Sequence, residues 1–205
     1  FKADDEANHR NIVYQKTAAI LTAETDLIMW IDSDCIVTGD ITPLIAAGGS
    51  GLQIRMRPEP EIAYLFRKRH ARGERRGALP AGVLEIWRND VGERRTPAIN
   101  TSCNAHCFIL HRRHLDFIRR WDRQIRKVIP DGTCSGVVND RSFAYFLLDE
   151  AVLSSMLAFA EEPPPIRRYM MEDDRECAVI HFGGRPKPWK RWLLRNLCFF
   201  DEITG

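Results

Sequence analysis

Residues 28–37, "IMWIDSDCIV", run an apolar segment straight into two carboxylates, Asp32 and Asp34, and then turn apolar again. Ile28, Met29, Trp30 and Ile31 read as a strand covered on both faces, as in a parallel sheet. Strand side chains repeat with period two, so a continuing strand points Asp32 and Asp34 to the same side. Carboxylates that close repel unless a cation or a shared proton lies between them. At the carboxyl end of a parallel strand, where such sheets place their ligands, a divalent cation answers that repulsion. The plainer reading is a strand followed by an acidic turn.

The rest of the composition is that of an ordinary globular chain. With 205 residues, 44% hydrophobic and 28% charged, it is long enough for one domain with a real core. A net charge of +2 gives no global attraction to nucleic acid. No apolar run reaches the roughly 18 residues of a membrane span, and nothing resembles a signal peptide. The six cysteines are scattered, which suggests reduced core thiols in a cytoplasmic protein. Cys103, His106 and Cys107 invite a zinc reading, but in a strand His106 faces away from the two thiols and no second pair completes four ligands.

Along the chain, a helix is predicted through Ile12 to Leu21, then the strand with the two acids, then a strand at "GSGLQIRMR". Residues 58–98 are rich in Pro, Gly and Arg and read as a surface excursion or lid with helical pieces. From Arg55 to Arg76 eight Lys or Arg stand against three Glu, and within that span Arg67 to Arg76 either face an anionic acceptor or form a solvated lid. A strand through Phe108, Ile109 and Leu110 follows, with a helix presenting Leu115, Ile118 and Trp121. A long helix is predicted over "NDRSFAYFLLDEAVLSSMLAFA", with Asp140 as its cap. The alternation of strands and helices argues α/β.

The strand "CAVIH" then delivers "HFGGRPKPW", residues 181–189. His181 sits at its end, Gly184 permits a close backbone approach, and prolines on either side of Lys187 stiffen the loop around its ammonium. An imidazole for a cation, a glycine for close approach and a lysine for charge suit a metal-bound diphosphate. A core histidine and a solvated lysine are the plainer fates of the two taken singly.

"WIDSDCIVTGDITPL" resembles the Asp-x-Asp segment of glycosyltransferase family 8, retaining transferases of the GT-A fold. "HFGGRPKPW" is similar to that family's closing His-x-x-Gly-x-x-Lys-Pro-Trp motif at every defined position. "CNAHCFIL" resembles its Asn-Ala-Gly strand, and "LDEAVLSSML" its Asp-Gln helix start. The resemblance covers roughly residues 10–192. It implies a central, mostly parallel sheet, one catalytic domain over residues 1–192 and a basic, aromatic tail over 193–205. The family's strands holding the uracil and ribose have no counterpart before Asp32, so the resemblance implies either a fragment of a longer protein, the favoured reading, or an incomplete nucleotide pocket.

By position, the resemblance makes Asp32, Asp34 and His181 ligands of a Mn²⁺ or Mg²⁺ bridging the phosphates of a UDP-sugar. Gly184 and Lys187 match diphosphate contacts, and Lys16 and Ser33 fall among the donor-binding positions. Asn104 and Asp149 match residues that hydrogen-bond the donor sugar. Cation and lysine together stabilise the charge left on UDP as the sugar–phosphate bond breaks. The acceptor is a glycan or lipid-linked saccharide, as in lipopolysaccharide synthesis. The tail "RPKPWKRWLLR" either rests on the inner face of the membrane or packs on the domain.

Three departures bear on chemistry. The family's Asn-Ala-Gly is Asn104-Ala105-His106 here, a ring in place of a glycine. Its arginine on the helix before the acids falls at Gln15, with Lys16 adjacent. Its glutamine beside the helix aspartate is Glu150, a carboxylate able to attack the anomeric carbon or to steady its charge. Two other readings stand beside this one. One is a non-catalytic relative that binds a sugar. The other is a haloacid dehalogenase-type phosphatase, with Asp173 and Asp174 closing its Mg²⁺ site, though "HFGGRPKPW" then has no role. An EF-hand loop is excluded, because Ile36 stands where a third ligand is needed.

Overall fold

The structure, a computed structural model, describes residues 12–47, 51–129, 143–168 and 178–182. Gly184, Lys187, Asp140, Asp173, Asp174 and the basic tail lie outside the described residues.

Four strands form the main sheet in the order β1 (Leu27–Ile31), β4 (Cys103–His111), β3 (Leu52–Met56), β5 (Ile166–Arg168). β4 runs antiparallel to both neighbours, and β3 pairs parallel with β5. A separate antiparallel ribbon joins β2 (Cys35–Val37) to β6 (Val179–His181). The expectation of a mostly parallel sheet is therefore corrected: two of its three pairings are antiparallel, and His181 belongs to the ribbon. Strand–helix alternation forces parallel pairing only when each link is a crossover. Here the link from β3 to β4, though helical, brings the chain back in the opposite direction. The coarser α/β reading stands.

β4 is central, and residues 103–110 are all buried, so this strand shows no apolar alternation. β1 sorts its side chains by period two. Ile28 and Trp30 join the main core, whereas Met29 and Ile31 join a small cluster with Cys107 and Val179 beneath the ribbon. Gly51 is required where β3 meets β5, because a Cβ there would collide with the Pro165 carbonyl.

The helices are α1 (Ile12–Leu21), α2 (Thr42–Ala47), α3 (Glu59–Leu65), α4 (Ala81–Val91), α5 (Leu115–Val128) and α6 (Asp149–Phe159). α5 buries Leu115, Ile118, Trp121, Ile125 and Val128, a stripe at helical spacing, and packs on α1. Tyr14 Oη donates to the Ile129 carbonyl at 2.7 Å and Thr17 Oγ1 to Asp122 Oδ1 at 2.6 Å. α6 is buried from Ala151 to Phe159 and lies against β4, where the Cys103 amide donates to Ser154 Oγ at 3.1 Å. It begins at Asp149, later than predicted, because Phe146–Leu148 form turns instead of helix. Residues 58–98 are corrected from a surface excursion to part of the fold: Ile62, Phe66, Val83 and Trp87 are fully buried. Most of their Pro, Gly and Arg lies around α3 and α4, with Pro60, Gly82 and Arg88 inside them, and this composition masked the burial of the two helices' apolar faces.

Candidate active site

The strand period does not carry Asp34 onto the face of Asp32, because β1 ends at Ile31. The Cys35 amide donates to the Asp32 carbonyl at 3.0 Å, closing a turn over Ser33 and Asp34, with Ser33 exposed. The two acids consequently meet different partners. Asp32 Oδ1 accepts from Trp30 Nε1 at 2.5 Å and lies 3.2 Å from Lys16 Nζ. Asp34 Oδ1 lies 3.5 Å from His181 Nε2. The pairing of Cys35 with His181 across the ribbon, and the Phe182 amide on the Asp34 carbonyl at 2.9 Å, hold that second contact in register.

Lys16 is the hub of the first. From the second turn of α1 its ammonium reaches Asp32, Asp149 Oδ2 at 3.0 Å and the Ala105 carbonyl at 3.0 Å. Burial opposes its charge, but Asp149 and Asp32 outweigh that penalty and leave its pKa raised. Lys16, adjacent to Gln15 in sequence, is the residue of this helix that reaches the two acids.

β4 opposite these groups is bulged. Ile54 pairs with Phe108 and Arg55 with Asn104, so Ala105, His106 and Cys107 have no partners on β3. The bulge turns the Ala105 amide onto Glu150 Oε2 at 3.0 Å. Arg57 Nη2 holds the other oxygen, Glu150 Oε1, at 2.6 Å, while its Nη1 meets Glu61 Oε2 at 3.0 Å. Arg55 also pairs with Glu61. Burial raises the Glu150 pKa despite Arg57 and the Ala105 amide. Glu61 is more open, and Arg55 holds its carboxyl below the ordinary range.

Asn104 and His106 share a face of β4, two residues apart, and their side chains contact each other through Oδ1 and Nδ1. The His106 ring stacks on His181, with centroids 4.1 Å apart and planes at 17°. Burial, with further repulsion from His181 and Arg55, lowers its pKa to about 3, so at neutral pH this ring is uncharged. Cys35 and Cys103 have pKa values pushed up to about 12, the first by burial with Asp32 and Asp34, the second by burial with Glu150. These thiols are poor nucleophiles.

Among the described residues, no three His, Cys, Asp or Glu side chains gather as a metal-holding group. Asp34 and His181, a carboxylate and an imidazole in contact and partly open to solvent, do suit a divalent cation. Asp32 is drawn aside by Lys16. No family model, curated protein or solved structure matches the chain.

Every sequence-singled residue that is described lies in this neighbourhood: Lys16, Asp32, Ser33, Asp34, Asn104, Asp149, Glu150 and His181. Arg57 and Trp30 were missed as members. Arg57 carried a signal, since "QIRMR" sets two arginines on one face of an apolar strand, a pattern that calls for buried carboxylates. Trp30 carried none.

Proposed function

We propose that this chain carries the catalytic centre of a metal-dependent retaining glycosyltransferase, of the kind found in family 8. It would move a hexose from a UDP-sugar to a glycan or lipid-linked saccharide. The observation that carries the reading is the meeting of Asp34 with His181, which brings the Asp-x-Asp turn against the strand that opens "HFGGRPKPW".

A Mn²⁺ or Mg²⁺ held by Asp34 and His181 would supply positive charge to a leaving diphosphate, and Asp32 would join them only by giving up its contact with Lys16. The chain's own groups account for the remainder. Lys16 fixes Asp32 and Asp149 and keeps a second positive charge beside them. Neutral His106 braces the His181 ring from one side. Glu150, its two oxygens gripped by Arg57 and the Ala105 amide, offers negative charge to a developing oxocarbenium centre.

Titration of Mn²⁺ into the protein, with and without UDP, tests the proposal alongside turnover of a UDP-sugar panel. Asp34→Ala and His181→Ala each weaken Mn²⁺ binding by roughly tenfold or more, about 1.4 kcal/mol, and abolish turnover. Full turnover in excess chelator would overturn the metal role. One observation favours a second reading, a non-catalytic sugar binder: the Lys16 ammonium already neutralises Asp32. That reading predicts UDP-sugar binding that is indifferent to Mn²⁺ and no turnover.

A further inference from the structure

Between the end of β3 and the approach to β4 lies a cavity of about 290 Å³, the size of the smallest ligand sites, which begin at roughly 300 Å³. Met56, Arg57, Glu59, Arg75, Asn100 and Thr101 contribute to its wall. Two guanidinium groups suggest an anion at first sight. Each is already matched, however: Arg57 by Glu61 and Glu150, and Arg75 by Glu59. The wall therefore has little charge left to give an anion, and Glu59 would repel one.

What remains is a set of neutral-ligand partners. Asn100 carries an amide with both donor and acceptor capacity. Thr101 donates its hydroxyl proton to the Arg57 carbonyl at 2.7 Å, which leaves its oxygen lone pairs as acceptors. Glu59 accepts, Arg75 donates, and Met56 adds an apolar surface. Donors and acceptors spread around an apolar patch match a ring that carries hydroxyls on its edge and C–H groups on its face. One sugar residue has that chemistry and about that size.

The cavity also has a direct link to the candidate site. Arg57 belongs to its wall and to the grip on Glu150, which it reaches at 2.6 Å. We propose that this cavity seats a neutral sugar residue, the terminal unit of the acceptor, and that Arg57 couples its occupancy to Glu150. The acceptor assignment rests on the glycosyltransferase reading; the sugar site itself does not.

The test is a nitrogen–proton correlation NMR titration of the full chain with the methyl glycosides of glucose, galactose and mannose, and with inorganic phosphate as the charged control. At least one glycoside shifts the Asn100 and Thr101 amides with a millimolar dissociation constant, the scale expected of a ligand of about a dozen heavy atoms. Asn100→Trp fills the cavity and weakens that binding by roughly tenfold or more, with Mn²⁺ affinity unchanged. Asn100→Ala, a milder change at an exposed position, weakens it by a smaller factor. No shift with any glycoside, an equal shift with phosphate, or unchanged binding in both variants overturns the proposal. UDP-sugar hydrolysis on the same sample separates the two readings. Hydrolysis without glycoside shifts removes the cavity alone. Glycoside shifts without hydrolysis remove the transferase and leave a sugar site.

Discussion

Arg57 holds two carboxylates whose titration runs in opposite directions. Glu61 is partly open, and its pKa is lowered by Arg55 and Arg57; its contribution to stability is present above the ordinary value of 4.5 and lost as pH falls below it. Glu150 is buried and its pKa is raised, so folding favours its protonated form and the associated stability declines as pH rises above 4.5. Glu61→Gln accordingly flattens the acid limb of a stability–pH profile measured by denaturant titration, and Glu150→Gln flattens the opposite trend. Removing the cation is worse than removing either acid. The Arg57 and Glu150 side chains are only 12% and 15% exposed, and breaking one partner out of such a pair costs about 3–5 kcal/mol. Arg57→Ala should lie in that range in urea unfolding. Under the proposed transferase reading, Glu150→Gln also tests how this carboxylate would act. Near-normal transfer marks a supporting group, and a fall of several orders of magnitude marks a nucleophile.

At the scale of elements, the first turn of α6 matters most because it presents Asp149 and Glu150 side by side. Leu148, immediately before it, has φ 56° and ψ −130°, a conformation that costs a non-glycine residue about 1–3 kcal/mol. The α6 helix behind it is buried along its length, so the core fixes the helix and the junction takes the strain. Leu148→Gly relieves that strain while forfeiting a partly buried side chain worth a comparable amount. The expected net change is below about 1 kcal/mol, whereas Leu153→Ala in the same helix, fully buried, costs about 2–5 kcal/mol. Equal losses at the two positions would show that the Leu148 backbone stores no strain.

Across the whole molecule, residues 58–98 act as a structural clasp. Trp87 is fully buried and donates Nε1 to the Ala144 carbonyl at 3.1 Å. Arg69 donates to the Phe143 carbonyl at 2.6 Å and lies 3.5 Å over the Phe146 ring. Phe66 meets Phe146 edge-on at 5.2 Å. These contacts tie the stretch to the segment that leads into α6, and through it to Asp149 and Glu150. Trp87→Ala should therefore cost about 3–5 kcal/mol, measured by thermal or urea unfolding. A stretch serving only as a mobile lid would lose far less.

The amino-acid sequence alone determined the local facts. The apolar run into Asp32, the strand at Phe108–Leu110, the α5 stripe and the strand ending at His181 follow from side-chain period and from runs of four to ten residues. Pattern alone drew attention to Asp32, Asp34 and His181 at the ends of apolar runs, whereas Lys16, Asn104, Asp149 and Glu150 were singled out only by resemblance to family motifs. Strand direction, the turn that parts Asp32 from Asp34 and the bulge that aims the Ala105 amide were decided only by tertiary structure. So was the role of Arg57. Each depends on which distant segment lies alongside: β4 against β1 and β3, β6 against β2, α6 against β4. Period two tells which side of a strand a residue takes, but not where the strand stops. A run of arginines announces charge, yet only the carboxylates brought to it from Glu61 and Glu150 make it a buried grip on the site.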